Sequence, residues 1–209
     1  MTTDHDVTDR SETEQAIMEA TYRALRRYGY ADLSVKNIGE EFDKSTSLVY
    51  YHYDDKDDLL LSFLDFALDE FVTRTVAESD GDPVERLHGL VDRILPAEFE
   101  DDLRDFHGVM LELRAQAVRD PEYRAQFTGI DDLVVGTAAD IVRDGVAAGR
   151  FRDVDPEETA ERLVALLFRG MDVRVTTDRA AAVEALRRAA RDLVDDLAVA
   201  AGDRTDEDR

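Results

Sequence analysis

The chain contains no cysteine. That excludes disulfides, thiol nucleophiles and thiolate metal sites. Lysine is nearly missing as well: Lys36, Lys44 and Lys56 are three of 26 basic residues, and the rest are arginine. Histidine occurs at positions 5, 52, 88 and 107 only, with no metal-ligand spacing among them. No apolar run approaches the ~18 uncharged residues of a membrane span, so no membrane partner is expected. The opening "MTTDHDVTDRSETE" is acidic and polar, unlike a secretory signal, and a cytoplasmic location is the simple reading. There is no phosphate-cradling glycine loop and no nucleophile elbow. An enzyme, a cofactor, a metal site and catalytic residues are therefore not expected.

What the chain does have is acid. Its 209 residues carry 36% charged side chains and a net charge of -23, with 44% hydrophobic residues to build a core. Acid excess with lysine almost removed is the pattern of a halophilic protein, adapted to high internal salt. At ~1 M salt the Debye length is only ~3 Å, so like charges on a surface are largely screened. The three lysines all fall between positions 36 and 56. Residues 1–60 nevertheless hold 7 Lys+Arg against 14 Asp+Glu, a net of -7. A nucleic-acid face here has to come from placement, because bulk charge opposes it.

Apolar residues recur at helical spacing along most of the chain, and no strand-length alternation is visible. The first helix carries Ile17, Ala20, Thr21, Ala24, Leu25 and Tyr28 and stops at Gly29. Ser34 caps a second helix, "VKNIGEEF", and Ser45 a short third one, "TSLVYYHY". Asp55 caps a long fourth helix, about 56–77, with Leu59, Leu60, Phe63, Leu64, Ala67, Leu68 and Phe71 inward. After the linker "ESDGDP" come helices near 83–95, 98–119, 121–149, 156–177 and 179–201. All four prolines stand at helix starts or breaks, and Gly149 suits a helix end. The expected fold is all-α with about nine helices. Residues 1–12 and 202–209 read as a disordered arm and tail.

Helices two and three are short and joined by a tight turn, which is helix-turn-helix geometry; the second of such a pair enters the major groove. Ser45, Thr46 and Ser47 supply the small polar leading end this requires. Val49 faces back into the bundle with Ile38 and Phe42. Tyrosines, lysines and helix-terminal amides suit phosphate.

The run Ser34-Val35-Lys36-Asn37-Ile38-Gly39, followed by Ser45, Tyr50, His52, Tyr53, Lys56 and Leu59, resembles the TetR family of transcriptional regulators. The resemblance covers residues 14–60. It implies that Lys36 and Lys56 contact phosphate, that Thr46, Ser47 and Tyr51 lie nearest the bases, and that Tyr50 and His52 work at the edge of the site. It places Tyr53 in the core. Three positions depart from the family pattern: Asp43 replaces the turn glycine, Lys44 an apolar residue, and Leu48 a threonine. Leu48 would meet a thymine methyl.

The segments "RDPEYRAQF" and "VAAGRFRDVDPEETAERLVALLFRGMDVRV" resemble the C-terminal halves of the betaine-repressor subgroup. This implies a homodimer built by the last two long helices. Their apolar stripes agree: Leu163, Leu166, Leu167, Gly170 and Met171 on one, Val183, Leu186, Leu193 and Leu197 on the other. Phe99, Phe106, Met110, Leu113, Tyr123, Phe127 and Val134 are candidates to line an effector pocket.

The expectation is a DNA-binding regulator. Residues 13–60 form the head, the fourth helix connects, and residues 61–201 bind a small-molecule effector and dimerise. A palindromic double-stranded operator is its partner, and ligand releases it. The competing reading is an all-α module that binds a ligand or partner and carries a non-functional head, motivated by the net charge of residues 1–60.

Overall fold

The computed structural model describes residues 11–42, 46–76, 81–98 and 101–199. Among these are nine helices: α1 Glu12–Asp32, α2 Val35–Glu41, α3 Thr46–His52, α4 Lys56–Val76, α5 Pro83–Ile94, α6 Asp101–Gln116, α7 Pro121–Ala147, α8 Pro156–Thr176 and α9 Ala180–Leu197. The arm up to residue 10, the tail beyond 199, Lys44, Ser45 and Phe99 lie outside the described residues, as does the side chain of Phe71.

The helix starts follow from local chemistry. Ser11 and Glu14 form a reciprocal capping box at α1, satisfying two amides that the first turn leaves without partners. Three later starts are Asp-Pro pairs. Asp82, Asp120 and Asp155 accept first-turn amides of α5, α7 and α8, while proline fills the first helical position, where no amide is needed. Each such cap is worth ~1 kcal/mol.

Helix α7 ends with Gly149 at φ +65. There the Gly149 amide donates to the Val146 carbonyl at 3.0 Å and the Arg150 amide to Gly145 at 2.8 Å, the paired bonds of a Schellman motif. Beyond α9 a single antiparallel bridge joins Ala198 to Phe151, which ends that helix at Leu197.

Helix α1 breaks at Gly29, where φ is +66, as expected of a stop, but one further turn carries it to Asp32. The break turns the Tyr30 amide out of the helix, and it donates instead to the Glu112 carboxylate at 2.7 Å.

The chain divides into two compact units, Met1–Ala77 with Asp101–Ile130, and Glu78–Glu100 with Asp131–Arg209. In the first, α1 packs on α2, α4 and α6. Ile17, Met18, Leu25, Ile38, Val49, Leu59, Leu60, Phe63 and Leu64 are buried there. Tyr22 joins three elements: its ring stacks on Phe63 and meets Phe106 edge-on, and its hydroxyl donates to the Asp102 carbonyl at 2.9 Å. Arg26 adds ion pairs to Asp102 at 2.8 Å and Asp105 at 2.6 Å. These sit at the surface and contribute little individually.

In the second unit α8 and α9 pack on one another and on α5. Leu87, Leu90, Val91, Leu163, Leu167, Val183, Val194 and Leu197 form its core. Asp92 holds Arg187 and Arg191 of α9 at 2.5 and 3.0 Å. Buried Arg174 is satisfied in part by the Pro96 carbonyl at 2.7 Å.

Candidate nucleic-acid interface

Helix α2 is set by Ser34, whose hydroxyl accepts the Asn37 amide at 3.2 Å. Its inner side is Val35, Ile38 and Gly39. Helix α3 is anchored by Val49, which is fully buried, and by Tyr53 one turn on. Anchoring at these two positions, four apart, turns Ser47, Tyr50 and Tyr51 outward on the opposite side. Tyr51 is 82% exposed and Tyr50 58%. Two adjacent, large exposed aromatics are uncommon on a monomer surface and suit a binding face. Leu48 and His52 are half-buried along the flank. His52 meets the Tyr51 ring edge-on and stands 4.0 Å from the Glu14 carboxylate.

Thr46 faces the other way. A β-carbon added to Gly39 would lie 2.5 Å from Thr46 Cγ2 and 2.8 Å from its Cβ. The threonine side chain therefore fills the space that glycine leaves on α2, and the two helices approach closely at that point.

The lysines differ in setting. Lys36 is extended into solvent, 3.8 Å from Glu40. Lys56 folds over the ring of Tyr30, with Nζ 4.1 Å from the ring centre and 3.4 Å from the Tyr30 carbonyl oxygen. Helix α3 itself carries no carboxylate. Four nearby acids are turned to other groups. Asp55 accepts the amides of Asp57 and Asp58 at 2.9 and 3.0 Å, and Asp58 accepts the Asp54 amide at 3.1 Å. Asp57 accepts the Tyr123 hydroxyl at 3.1 Å, and Glu41 pairs with Arg27 at 2.9 Å. Burial, reinforced by Asp57, pushes the Tyr123 phenol well above its ordinary value. It stays protonated and donates.

Two family models match the chain. Residues 17–63 match the one described as "Bacterial regulatory proteins, tetR family", and residues 83–199 the "BetI-type transcriptional repressor, C-terminal". The chain belongs to the TetR family. It is 30% identical over 162 residues to the "HTH-type transcriptional repressor AcnR" of Corynebacterium jeikeium, covering 77% of this chain and 80% of that one. A TetR transcription regulator from Haloarcula marismortui has the same fold, with a TM-score of 0.82 and 34% identity over 91% of this chain and all of that one. A transcriptional regulator from Saccharomonospora viridis, crystallised in complex with choline, follows at a TM-score of 0.78 and 30% identity, with 91% and 100% covered. The protein is thus a TetR-family DNA-binding transcriptional repressor, all-α as its sequence pattern indicates. Among the described residues no helix is long and apolar enough to cross a membrane.

The remaining candidates fall as follows in this TetR-family repressor. Leu113, Tyr123 and Phe127 are buried, and Phe106 and Met110 half-buried, in the first unit; Val134 is buried in the second. Arg114 lies over the Phe127 ring at 4.6 Å. In the apolar stripes of α8 and α9, Leu163, Leu167, Gly170, Val183 and Leu197 are buried within the protomer, whereas Leu166, Met171, Leu186 and Leu193 keep exposed surface. Gly170 accommodates Leu95, whose methyl groups occupy the place of a β-carbon.

Sequence reasoning missed Gly39, Tyr30, Asp57 and Glu112. A pattern search ranks glycine and isolated surface acids low, and only folding brings Glu112 to Tyr30 across 82 positions.

Proposed function

We propose that this repressor binds a palindromic operator as a homodimer and that a small molecule bound in its C-terminal part releases it. The observation that supports this most is the outward face of α3, where Ser47, Tyr50 and Tyr51 are exposed on a helix that carries no carboxylate of its own. Ser47 and Tyr51 reach base edges; Tyr50, His52, Lys36 and Lys56 hold phosphate or the groove edge. Lys44, Ser45 and Leu48 complete the interface. Thr46 acts by seating α3 on Gly39. The head spans 13–60, and 61–201 supplies effector binding and dimerisation. The protein works in the cytoplasm, where its operator is.

Two protomers meet through α8 and α9. Leu166, Met171, Leu186 and Leu193 supply the contact, because the other stripe residues are already occupied inside the protomer. The effector proposed is a quaternary ammonium compound of the choline type. The Saccharomonospora viridis regulator was crystallised with choline, and a cation of this kind is held by aromatic faces. Phe106, Met110, Leu113, Tyr123 and Phe127 are the lining candidates. Ligand shifts the equilibrium only by its differential affinity for the released and bound states.

The test is selection from random duplex DNA by purified protein at ~2 M KCl, followed by competition with choline. An enriched palindrome released by choline is the expected result. No enrichment by folded, dimeric protein would favour the module with a non-functional head, which the net charge of residues 1–60 motivates. Enrichment without release would discard the effector class alone.

A further inference from the structure

Tyr30 stands at a junction that neither the helix-turn-helix motif nor the family match describes. It uses every polar group it has on an element other than its own. Its amide, freed by the break at Gly29, donates to Glu112 of α6 at 2.7 Å. Its carbonyl oxygen accepts Lys56 Nζ at 3.4 Å, and its ring lies beneath the same ammonium at 4.1 Å. Its hydroxyl is 3.5 Å from Asp57 Oδ1, a long approach that shares the oxygen with buried Tyr123 of α7 at 3.1 Å. Lys56 and Asp57 are the first two residues of α4. One tyrosine thus ties the start of α4 to α6 directly and, across Asp57, to α7.

The geometry matters because of what lysine gives up on binding. An unrestrained lysine surrenders side-chain entropy when it is fixed on a phosphate. Here the stem is already folded over a ring and one N–H is directed at a carbonyl. Lysine has three N–H donors, so two remain for an anion. Protonation of the phenols fits this arrangement: burial first, and the neighbouring Asp57 second, raise the Tyr30 phenol above its ordinary value.

We propose that Tyr30 is a positioning residue for DNA binding, which holds Lys56 ready for phosphate and makes that readiness depend on α6. This rests on the proposed role of Lys56 at a phosphate. A shift of Glu112 would move Tyr30 and so change how Lys56 is held. The signal need not displace the whole helix-turn-helix.

The experiment measures operator affinity against KCl concentration for full-length Lys56→Gln, Tyr30→Leu, Tyr30→Phe, Glu112→Ala and the Tyr30→Leu/Lys56→Gln pair. The slope of log K against log salt falls by ~0.9 for each phosphate that is no longer neutralised, so Lys56→Gln lowers it by ~1.8 per dimer. Tyr30→Leu is expected to reproduce most of that fall, and the double variant to match Lys56→Gln within about twofold, because both act through one phosphate. Tyr30→Phe keeps the ring and carbonyl and restores the parent slope. Glu112→Ala leaves the ring in place, removes only the α6 tether, and is expected to lower the slope partway. It also serves should Tyr30→Leu fail to fold. A parent slope in Tyr30→Leu, tighter binding in that variant, or additive effects in the double variant would overturn the positioning role. A parent slope in Glu112→Ala would overturn the dependence on α6. A parent slope in Lys56→Gln itself would instead remove Lys56 from the residues that hold phosphate, with the operator selection still standing.

Discussion

Replacing Gly39 with alanine should separate stability from DNA binding. The added methyl would lie 2.5 Å from Thr46 Cγ2 and 2.8 Å from Thr46 Cβ. Carbon atoms rest at ~3.5–4.0 Å, so each approach is short by ~1 Å. The obstacle is the root of the threonine side chain rather than a flexible end, and a β-branched residue has little χ1 freedom to escape. Relief requires α3 to move away from α2 by about the same ~1 Å. Overpacking of this kind costs ~1–3 kcal/mol. Alanine returns up to ~1 kcal/mol of helix propensity over glycine. The net destabilisation is ~0–2 kcal/mol, and the protein should still fold. The displaced α3, however, carries Ser47, Tyr50 and Tyr51. Removing one base-edge interaction costs ~1–3 kcal/mol, a ~5- to 150-fold drop in operator affinity. Thermal melting beside operator titration reads both. A Gly39→Ala protein that binds like the parent would refute the close-approach reasoning. Thr46→Ala in the same background removes the Cγ2 and Oγ1 clashes and should recover part of the affinity.

Three further outcomes are expected. Leu186→Arg with Leu193→Arg should convert the proposed dimer to monomer in sedimentation and cost operator affinity, since both are only half-buried within the protomer; a dimer that persists would move the interface elsewhere. Melting temperature should rise between ~0.1 and ~2 M KCl as the net charge of -23 is screened; a flat response would contradict the halophilic reading. Stability should fall as pH rises above ~10, where the unfolded chain loses the Tyr123 proton and the fold keeps it, at up to ~1.4 kcal/mol per pH unit. Tyr123→Phe should flatten that fall in a denaturant series, and an unchanged slope would show that the phenol is not held.

Most of the fold was legible because its punctuation is local. Asp82-Pro83, Asp120-Pro121 and Asp155-Pro156 mark helix starts by cap and fixed φ, and Gly149 marks an end, each within a few residues of its effect. The exposed face of α3 was legible for the same reason, since Val49 and Tyr53 define its inner side. What was not legible depends on residues far apart in sequence. Arg26 of α1 pairs with Asp102 and Asp105 of α6, yet nothing distinguishes those two acids among 49. Thr46 reads as a base-edge residue from its position at the start of α3, and only the absence of a side chain at Gly39 turns it inward. The apolar stripes of α8 and α9 carry no mark that separates residues filling the protomer, such as Leu163 and Leu167, from those that stay half-buried, such as Leu166 and Leu193.

The acidity of the chain bears on how the interface reaches its affinity. Counterion release makes log K fall with log salt at ~0.9 per neutralised phosphate. A head with two lysines on phosphate therefore weakens ~60-fold for a tenfold rise in salt, whereas a head with six weakens ~10^5-fold. An interface meant for concentrated salt gains little from extra cations and keeps more from interactions that salt does not screen. Tyr50, Tyr51 and Ser47 offer such interactions, since hydroxyl hydrogen bonds and aromatic stacking carry no net charge. On this footing, Tyr51→Ala should cost more affinity at ~2 M KCl than Lys36→Gln does, and the order should reverse or close as salt is lowered toward ~0.2 M. If Lys36→Gln remains the more damaging change at high salt, the head depends on charge after all, and the scarcity of lysine has no bearing on how it holds DNA.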